Sequence, residues 1–270
     1  MAIISNGTTV ASGGNLQAPR LTGNLPALNA SSLTDVPAGV SNINTVVITS
    51  SGTYTPTSGT KFFKVYCTGG GGSGSNAPND NDLCSRQGGS GGGGGTAIRT
   101  YNATEMGATA SVTIGSGGAG TGGNKYQAQQ GNAGSASSFN PVGTGATITG
   151  NGGSGGRCWM PGNNGVNMLG IGGKGGTASG GQLNVTGGTG FIANEKGLGQ
   201  VDSTNVGIGM TGGASYWYAM QYQELSSRAS VTGTAGSYGS GGNGGLCYTD
   251  NGTANGGAGG SGVVVIEEYA

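Results

Sequence analysis

The stretch Asn151-Gly152-Gly153-Ser154-Gly155-Gly156 places a side chain at every third position, and the same rhythm returns at 171–176, 240–245 and 255–260. A three-residue period selects an extended helix of the polyproline II type, which rises about 3.1 Å per residue and makes no internal hydrogen bonds. Its amides and carbonyls must therefore be paired by neighbouring chains. With two of three faces bare, such helices can pack on both sides. The continuous runs Gly69 to Gly72 and Gly91 to Gly95 are bare all round and suit the centre of a bundle. Ordering glycine costs more backbone entropy than ordering any other residue. Phased glycine bounded by β-rich segments therefore implies dense inter-chain hydrogen bonding rather than a floppy low-complexity chain.

Outward from the glycine segments the pattern turns to strands. Val46-Val47-Ile48, Lys61 to Cys67, Ala97 to Tyr101, Ala110 to Ile114 and Val263 to Ile266 are short runs rich in β-branched and aromatic residues. Bringing the last of them back to the others clamps the intervening glycine region at both ends. The expected fold is all-β: a small β-sandwich framing a bundle of polyglycine II helices over residues 45–270. Residues 1–44 differ in composition. Leu16, Leu21, Leu25, Leu28 and Leu33 recur among small polar residues, and Pro19, Pro26 and Pro37 argue against a long helix. Isolated leucines in an extended arm bury too little surface alone, so the arm is expected to pack on copies of itself as a homotrimer, or on a partner protein.

Composition removes several functions. Among 270 residues, 66 are glycine, charged residues are 7% and net charge is zero, which disfavours electrostatic capture of nucleic acid or an anionic membrane. There is no histidine, hence no Ser-His arrangement and no imidazole metal ligand. Cys67, Cys84, Cys158 and Cys247 are widely spaced with no Cys-x-x-Cys pair, and are read as free thiols. Gly152-Gly153-Ser154-Gly155-Gly156 matches a nucleophile elbow and Gly170 to Gly175 a dinucleotide fingerprint, in letters only. No enzyme, cofactor or metal site is expected. No basic, apolar leader opens the chain, and no run approaches the length of a membrane span.

Three segments carry a resemblance: Val46 to Thr55, Lys64 to Gly72 and Gly256 to Glu267. Together they resemble the glycine-rich domain at the tips of bacteriophage tail fibres, over roughly residues 45 to 270. The Leu21 to Ala30 segment likewise resembles short fibre-shaft or attachment repeats. The layered glycine pattern is also similar to the detachable polyglycine adhesins of T-even-like phages, from which this chain departs in carrying its own fibre-like arm. The resemblance implies a virion tail-fibre protein made in the host cytoplasm. It also implies trimeric fibres, other virion tail proteins held through the arm, and a host outer-membrane protein or surface glycan as receptor.

The segments between glycine helices hold the candidate contacts. Trp159, Tyr216, Trp217, Tyr218, Tyr222 and Tyr248 are aromatic residues in otherwise small, polar surroundings. Tyrosine and tryptophan dominate binding hot spots, because they offer large contact area at low entropy cost. The same rings could instead cover glycine layers that otherwise lack apolar protection. The leading expectation is a non-enzymatic receptor-binding fibre tip, and the alternative a structural virion connector that binds no host. An ice-binding surface would need a regular array of one residue type, which outward positions Asn151, Ser154, Ile171 and Lys174 do not provide.

Overall fold

The computed structural model describes residues 3–5, 8–12, 15–16, 42–78, 86–123, 127–159, 169–191, 210–219, 222–223, 230–247 and 253–270. The chain divides into two units, Met1–Val40 and Ser41–Ala270. In the first, Ile3–Ser5, Thr8–Ser12 and Asn15–Leu16 form a three-stranded antiparallel sheet, a local pairing that the leucine spacing did not suggest. Leu21, Leu25, Leu28 and Leu33 lie outside the described residues.

Ten strands frame the second unit: β1 (Asn42–Ile48), β2 (Gly52–Tyr54), β3 (Phe62–Thr68), β4 (Thr96–Asn102), β5 (Ala110–Thr113), β6 (Ser137–Pro141), β7 (Ile148–Gly150), β8 (Ala178–Ser179), β9 (Leu183–Val185) and β10 (Val263–Tyr269). They make two antiparallel sheets, in the orders β9-β4-β3-β10-β1 and β8-β7-β6-β5-β2. The C-terminal strand thus sits between β3 and β1, closing the frame as expected. Alternate residues Phe63, Val65 and Cys67 of β3 and Val264 and Ile266 of β10 share one core with Tyr101, Phe139 and Ile148. Burial pushes the Cys67 thiol up to about 12. A one-turn helix α1 (Ala103–Met106), capped reciprocally by Asn102 and Glu105, leads from β4 towards β5.

One carboxylate enters this frame. Glu268 is fully buried, with the Tyr54 hydroxyl and the Thr57 amide donating to Oε1, the latter at 2.9 Å. Burial pushes its carboxyl up, but the hydrogen bonds from Thr57 and Tyr54 outweigh that and hold it below its ordinary value. Burial and the same carboxylate raise the Tyr54 phenol. Neighbouring Glu267 points to the opposite face, as alternation requires, and accepts from the Tyr269 hydroxyl at 2.7 Å.

Between the strands run eleven three-residue-per-turn helices among the described residues: pg1 (69–75), pg2 (88–95), pg3 (115–121), pg4 (131–136), pg5 (151–156), pg6 (172–176), pg7 (187–191), pg8 (211–215), pg9 (231–237), pg10 (240–245) and pg11 (255–262). Their period shows in burial: Ser154 and Arg157 are exposed while Gly153 and Gly156 are buried, and Ile171, Lys174 and Thr177 are exposed while Gly173 and Gly176 are buried. Every N–H from Gly69 to Ser75 and from Gly88 to Gly95 donates to a carbonyl of another helix or, for Gly89 and Gly94, of Arg157 and Gly239 just beyond one, at 2.7 to 3.4 Å. In pg1 the three donor directions serve different neighbours. Gly69, Gly72 and Ser75 reach pg2; Gly70 and Ser73 reach pg4; Gly71 and Gly74 reach pg11. Its carbonyls in turn accept from pg3, pg5 and pg10, so pg1 has six neighbours. The same accounting gives pg2 six: pg1, pg5, pg6, pg7, pg8 and pg10.

The hydrogen bonds fix three layers. The middle is pg3-pg1-pg2-pg7, with pg4-pg5-pg6 on one side and pg11-pg10-pg8 on the other. The two helices that contain the continuous glycine runs are the two that are wholly enclosed. A Cβ added to Gly71 would lie 2.0 Å from the Ser240 carbonyl oxygen, and one on Gly91 would lie 2.0 Å from that of Gly72. Where the inner lattice does carry side chains, small polar ones stand in for carbonyls. The Ser73 hydroxyl accepts from Asn132 N–H at 2.8 Å, Ser90 from Gly244 at 3.2 Å, and the Asn243 amide oxygen from Gly212 at 2.7 Å.

Candidate functional site

Helix direction decides what each end of the lattice carries. Hydrogen-bond partners rise in step between pg1 and each of pg3, pg5 and pg10, so these four run the same way; pg2, pg4 and pg11 run against pg1. Directions alternate around the whole outer ring. Strands β3, β5, β7 and β9 each feed a helix leaving the sandwich, and pg2, pg4, pg6 and pg11 each return into β4, β6, β8 and β10. Five pairs of helix ends consequently meet at the far end: pg1 and pg2, pg3 and pg4, pg5 and pg6, pg7 and pg8, and pg10 and pg11. Four of them are flanked there by short antiparallel pairs. Ala77–Pro78 pairs with Thr253–Ala254, Arg86–Gln87 with Leu246–Cys247, Arg157–Trp159 with Leu169–Ile171, and Met210–Thr211 with Tyr222–Gln223. From Gly69 to Ser75 the rise is about 3.1 Å per residue, which holds the two ends about 19 Å apart.

The six aromatic candidates do not converge. Tyr216, Trp217 and Tyr218 follow pg8 at the sandwich end. Trp217 is half-buried on the outer face of the first sheet, against Tyr66, Ile98, Val263 and Val265, and its indole N–H donates to Thr68 Oγ1 at 3.0 Å. Its ring meets those of Tyr66 and Tyr216 at centroid distances of 5.2 and 5.1 Å. Trp217 thus covers the joint where β3 becomes pg1. Tyr216 is 47% exposed and Tyr218 half-buried. Beside them the chain reverses between pg9 and pg10 through Tyr238 and Gly239, both at positive φ (45° and 82°), with Ser215 Oγ donating to the Tyr238 carbonyl at 2.6 Å. Trp159 and Tyr222 occupy the short pairs at the far end, and their side chains lie outside the described residues, as does the whole of Tyr248.

Sequence reasoning missed an apolar row. Leu183, Ile98, Tyr66, Val265 and Val47 stand in register across β9, β4, β3, β10 and β1, on the face that Trp217 covers. The middle three are buried, while Leu183 and Val47 are 56% and 58% exposed. The alternation within each strand was legible, but the register that aligns five strands was not. At the far end, outward Ile171 and Phe191 are likewise part-exposed.

Neither catalytic look-alike has its required setting. Ser154 lies within pg5 rather than at a strand-to-helix turn, and Gly170 to Gly175 runs from a short strand into pg6 with no α-helix following. Among the described residues no three His, Cys, Asp or Glu side chains gather as a metal site. Cys67, Cys158 and Cys247 are buried, and Cys247 Sγ lies 3.1 Å from Ser230 Oγ.

Comparison with known proteins adds two findings. A family model described as a glycine-rich domain matches residues 45–269, which is the sandwich and its lattice together. No curated protein matches the chain.

Proposed function

This chain belongs to the glycine-rich domain family, and from that premise we propose that it is a non-enzymatic, receptor-binding tail-fibre protein of a bacteriophage virion. The single observation that supports this reading is the gathering of five pairs of helix ends at one end of a hydrogen-bonded lattice, away from the sandwich. Loops held on a rigid frame are where recognition usually resides. The enclosed helices fix the spacing of those loops without an apolar core, so loop sequence can vary while the frame does not. The receptor is a host outer-membrane protein or surface glycan. The arm before residue 45 joins the fibre as a homotrimer and meets other virion tail proteins.

Of the aromatic candidates, Trp159 and Tyr222 stand in the short strand pairs at the far end and are assigned to contact, and Tyr248, which follows Cys247 in the chain, is assigned with them. Trp217 is assigned to cover of the joint. A structural connector without host binding is the competing reading, and cell attachment separates the two. Purified full-length protein is incubated with intact cells of a panel of candidate hosts, alongside variants in which the 160–168 and 248–252 segments are replaced by Gly-Ser sequences of equal length. Attachment to one host that is lost in these variants, at unchanged melting temperature, is the expected result. Equal attachment by wild type and variants would remove the far end from the site, and no attachment to any host would favour the connector.

A further inference from the structure

The outer face of the first sheet carries more than its apolar row. Along β3, alternation sends Phe62, Lys64 and Tyr66 outward, and register sets them opposite Tyr269, Glu267 and Val265 of β10. Phe62 is 45% exposed, and half-buried Tyr269 stands beside it with its hydroxyl donating to Glu267 Oε2 at 2.7 Å. At the other end of the strand the Tyr66 ring meets those of Trp217 and Tyr216, the latter at a centroid distance of 5.7 Å. Lys64 and Glu267 are half-buried between the two groups of rings. The Lys64 ammonium stands 5.1 Å from the Tyr66 ring centroid, and Glu267 Oε1 accepts from the Tyr66 hydroxyl at 3.4 Å. Rings, a donor beside an acceptor, and rings again thus follow one another from Phe62 to Tyr66, over roughly 13 Å of strand. The outermost ring is also held in place. Ser215 Oγ accepts from the Trp217 and Tyr218 amides at 3.3 and 3.1 Å and donates to the carbonyl of Tyr238, a tyrosine kept at φ 45° in the left-handed region. Such strain persists only where the surroundings enforce it, and it gathers at ligand clamps. Tyr216, 47% exposed, is thereby fixed against Trp217 before contact, which lowers the ordering cost of binding.

We propose that this face binds a neutral segment of a host cell-surface polysaccharide, laid along β3 with one sugar on Phe62 and Tyr269, another on Tyr216, and the hydroxyls between them on Lys64 and Glu267. A pyranose offers a C–H face that packs on an aromatic ring, and rim hydroxyls that each donate and accept. Rings with polar tips meet the first, and an ammonium beside a carboxylate meets the second. The charges decide against an apolar protein partner or a second copy. Covering Lys64 and Glu267 with side chains would strip their hydration without replacing it, whereas sugar hydroxyls replace it bond for bond. The pair carries one charge of each sign, so the segment that suits it is neutral: an anionic sugar would lose at Glu267 what it gained at Lys64. Trp217 backs the Tyr66 and Tyr216 rings and acts through them. Naming a host cell as the source of the glycan rests on the tail-fibre reading; the site itself rests on the sandwich face and lies apart from the far-end loops.

The test passes full-length protein over immobilised hexasaccharides of glucose, galactose and mannose, with hexagalacturonate as the anionic comparison, and repeats this for Phe62→Ala, Tyr216→Ala and Glu267→Gln. The expected result is binding to at least one neutral member, weakened about tenfold in each variant, the scale of losing one ring contact or one charged hydrogen bond. Phe191→Ala, which removes an exposed ring elsewhere, should bind as wild type does. Melting curves confirm that each variant is folded, and Glu267→Gln, which keeps the side-chain shape, carries the test should a ring truncation unfold. No binding to any neutral member, stronger binding to hexagalacturonate, or equal binding by wild type and the folded variants overturns the proposal. So does a concentration-dependent dimer in light scattering that Phe62→Ala abolishes, which would give the face to a second copy. Isolated glycans keep this outcome separate from the far end: a protein that attaches to cells yet binds no neutral hexasaccharide overturns this inference alone.

Discussion

In the sandwich, Phe139 and Ile148 bury side chains against Val65 and Cys67; in the lattice, Gly72 donates its amide to the Gly92 carbonyl at 2.8 Å and buries backbone alone. The first region gains by removing apolar area from water, roughly 25 cal/mol per Å². The second gains by completing backbone hydrogen bonds, each worth a net ~0.5–1.5 kcal/mol, and by leaving no buried amide unmet. Their tolerances differ accordingly. A side-chain core accepts exchange of one shape for another of similar volume. A lattice whose spacing is set by amide-to-carbonyl contact has no volume to exchange, and the 2.0 Å approach of an added Cβ at Gly71 or Gly91 measures how little there is.

The comparison is broken most sharply at its centre. Gly71→Val or Gly91→Val should prevent folding of the Ser41–Ala270 unit, because the clash is with hydrogen-bonded backbone on an enclosed helix. Loss of the cooperative melting transition is the readout, and a folded protein with a near-normal melt would refute the three-residue-helix account. Next in size, Phe139→Ala should cost about 3–5 kcal/mol by denaturant titration, the range for large aromatic truncation in a core.

Trp217→Ala tests the joint between the regions. A half-buried indole over Tyr66 and Thr68 should be worth about 2 kcal/mol, from the range for burying a large apolar side chain. Attachment to cells should persist, whereas lost attachment at unchanged stability would return Trp217 to the contact surface.

A smaller effect follows from the carboxylate that only the sandwich buries. Glu268 has its pKa lowered on folding, so its contribution is present above the unfolded value of about 4.3 and fades as pH falls through the lower folded value. Tyr54 is raised, so its contribution is present below about 10 and fades as pH rises beyond that. Melting temperature should therefore fall at both extremes. Glu268→Gln should flatten the acid shoulder, and an unchanged shoulder would assign it to other carboxylates.

The smallest effect sharpens the contrast within one helix. Ser154→Val and Lys174→Ala, at exposed positions of pg5 and pg6, should stay within about 0.5 kcal/mol of wild type, as ordinary surface changes do. Gly153 and Gly173 beside them would place a Cβ 2.1 Å from the Gly92 and Ser154 carbonyl oxygens. Their substitution by valine should approach the loss expected at Gly71.

Much of this was legible residue by residue. The three-residue period named the helix type, the bare runs named the two enclosed helices, and alternation located β1, β3, β4, β5 and β10. Strands β6 to β9 were not legible. Ser137–Pro141, Ile148–Gly150, Ala178–Ser179 and Leu183–Val185 are short, polar or glycine-bounded, and they become strands because a paired neighbour stands beside them. The candidate site divided in the same way. That Trp159 and Trp217 are rare aromatics is a fact of sequence; that they belong to opposite ends of the lattice depends on which way pg5 and pg8 run.

By itself, then, the sequence determined the local conformations. Glycine at two positions in three admits a packed three-fold helix and little else, and alternating apolar residues admit a half-buried strand. Only the tertiary structure decided partners, directions and ends. A bare helix offers the same amides and carbonyls to any neighbour, so nothing in Gly69 to Gly72 specifies six particular helices around it. Those choices are made by the strands, whose side chains fix where each helix starts and which way it leaves the sandwich.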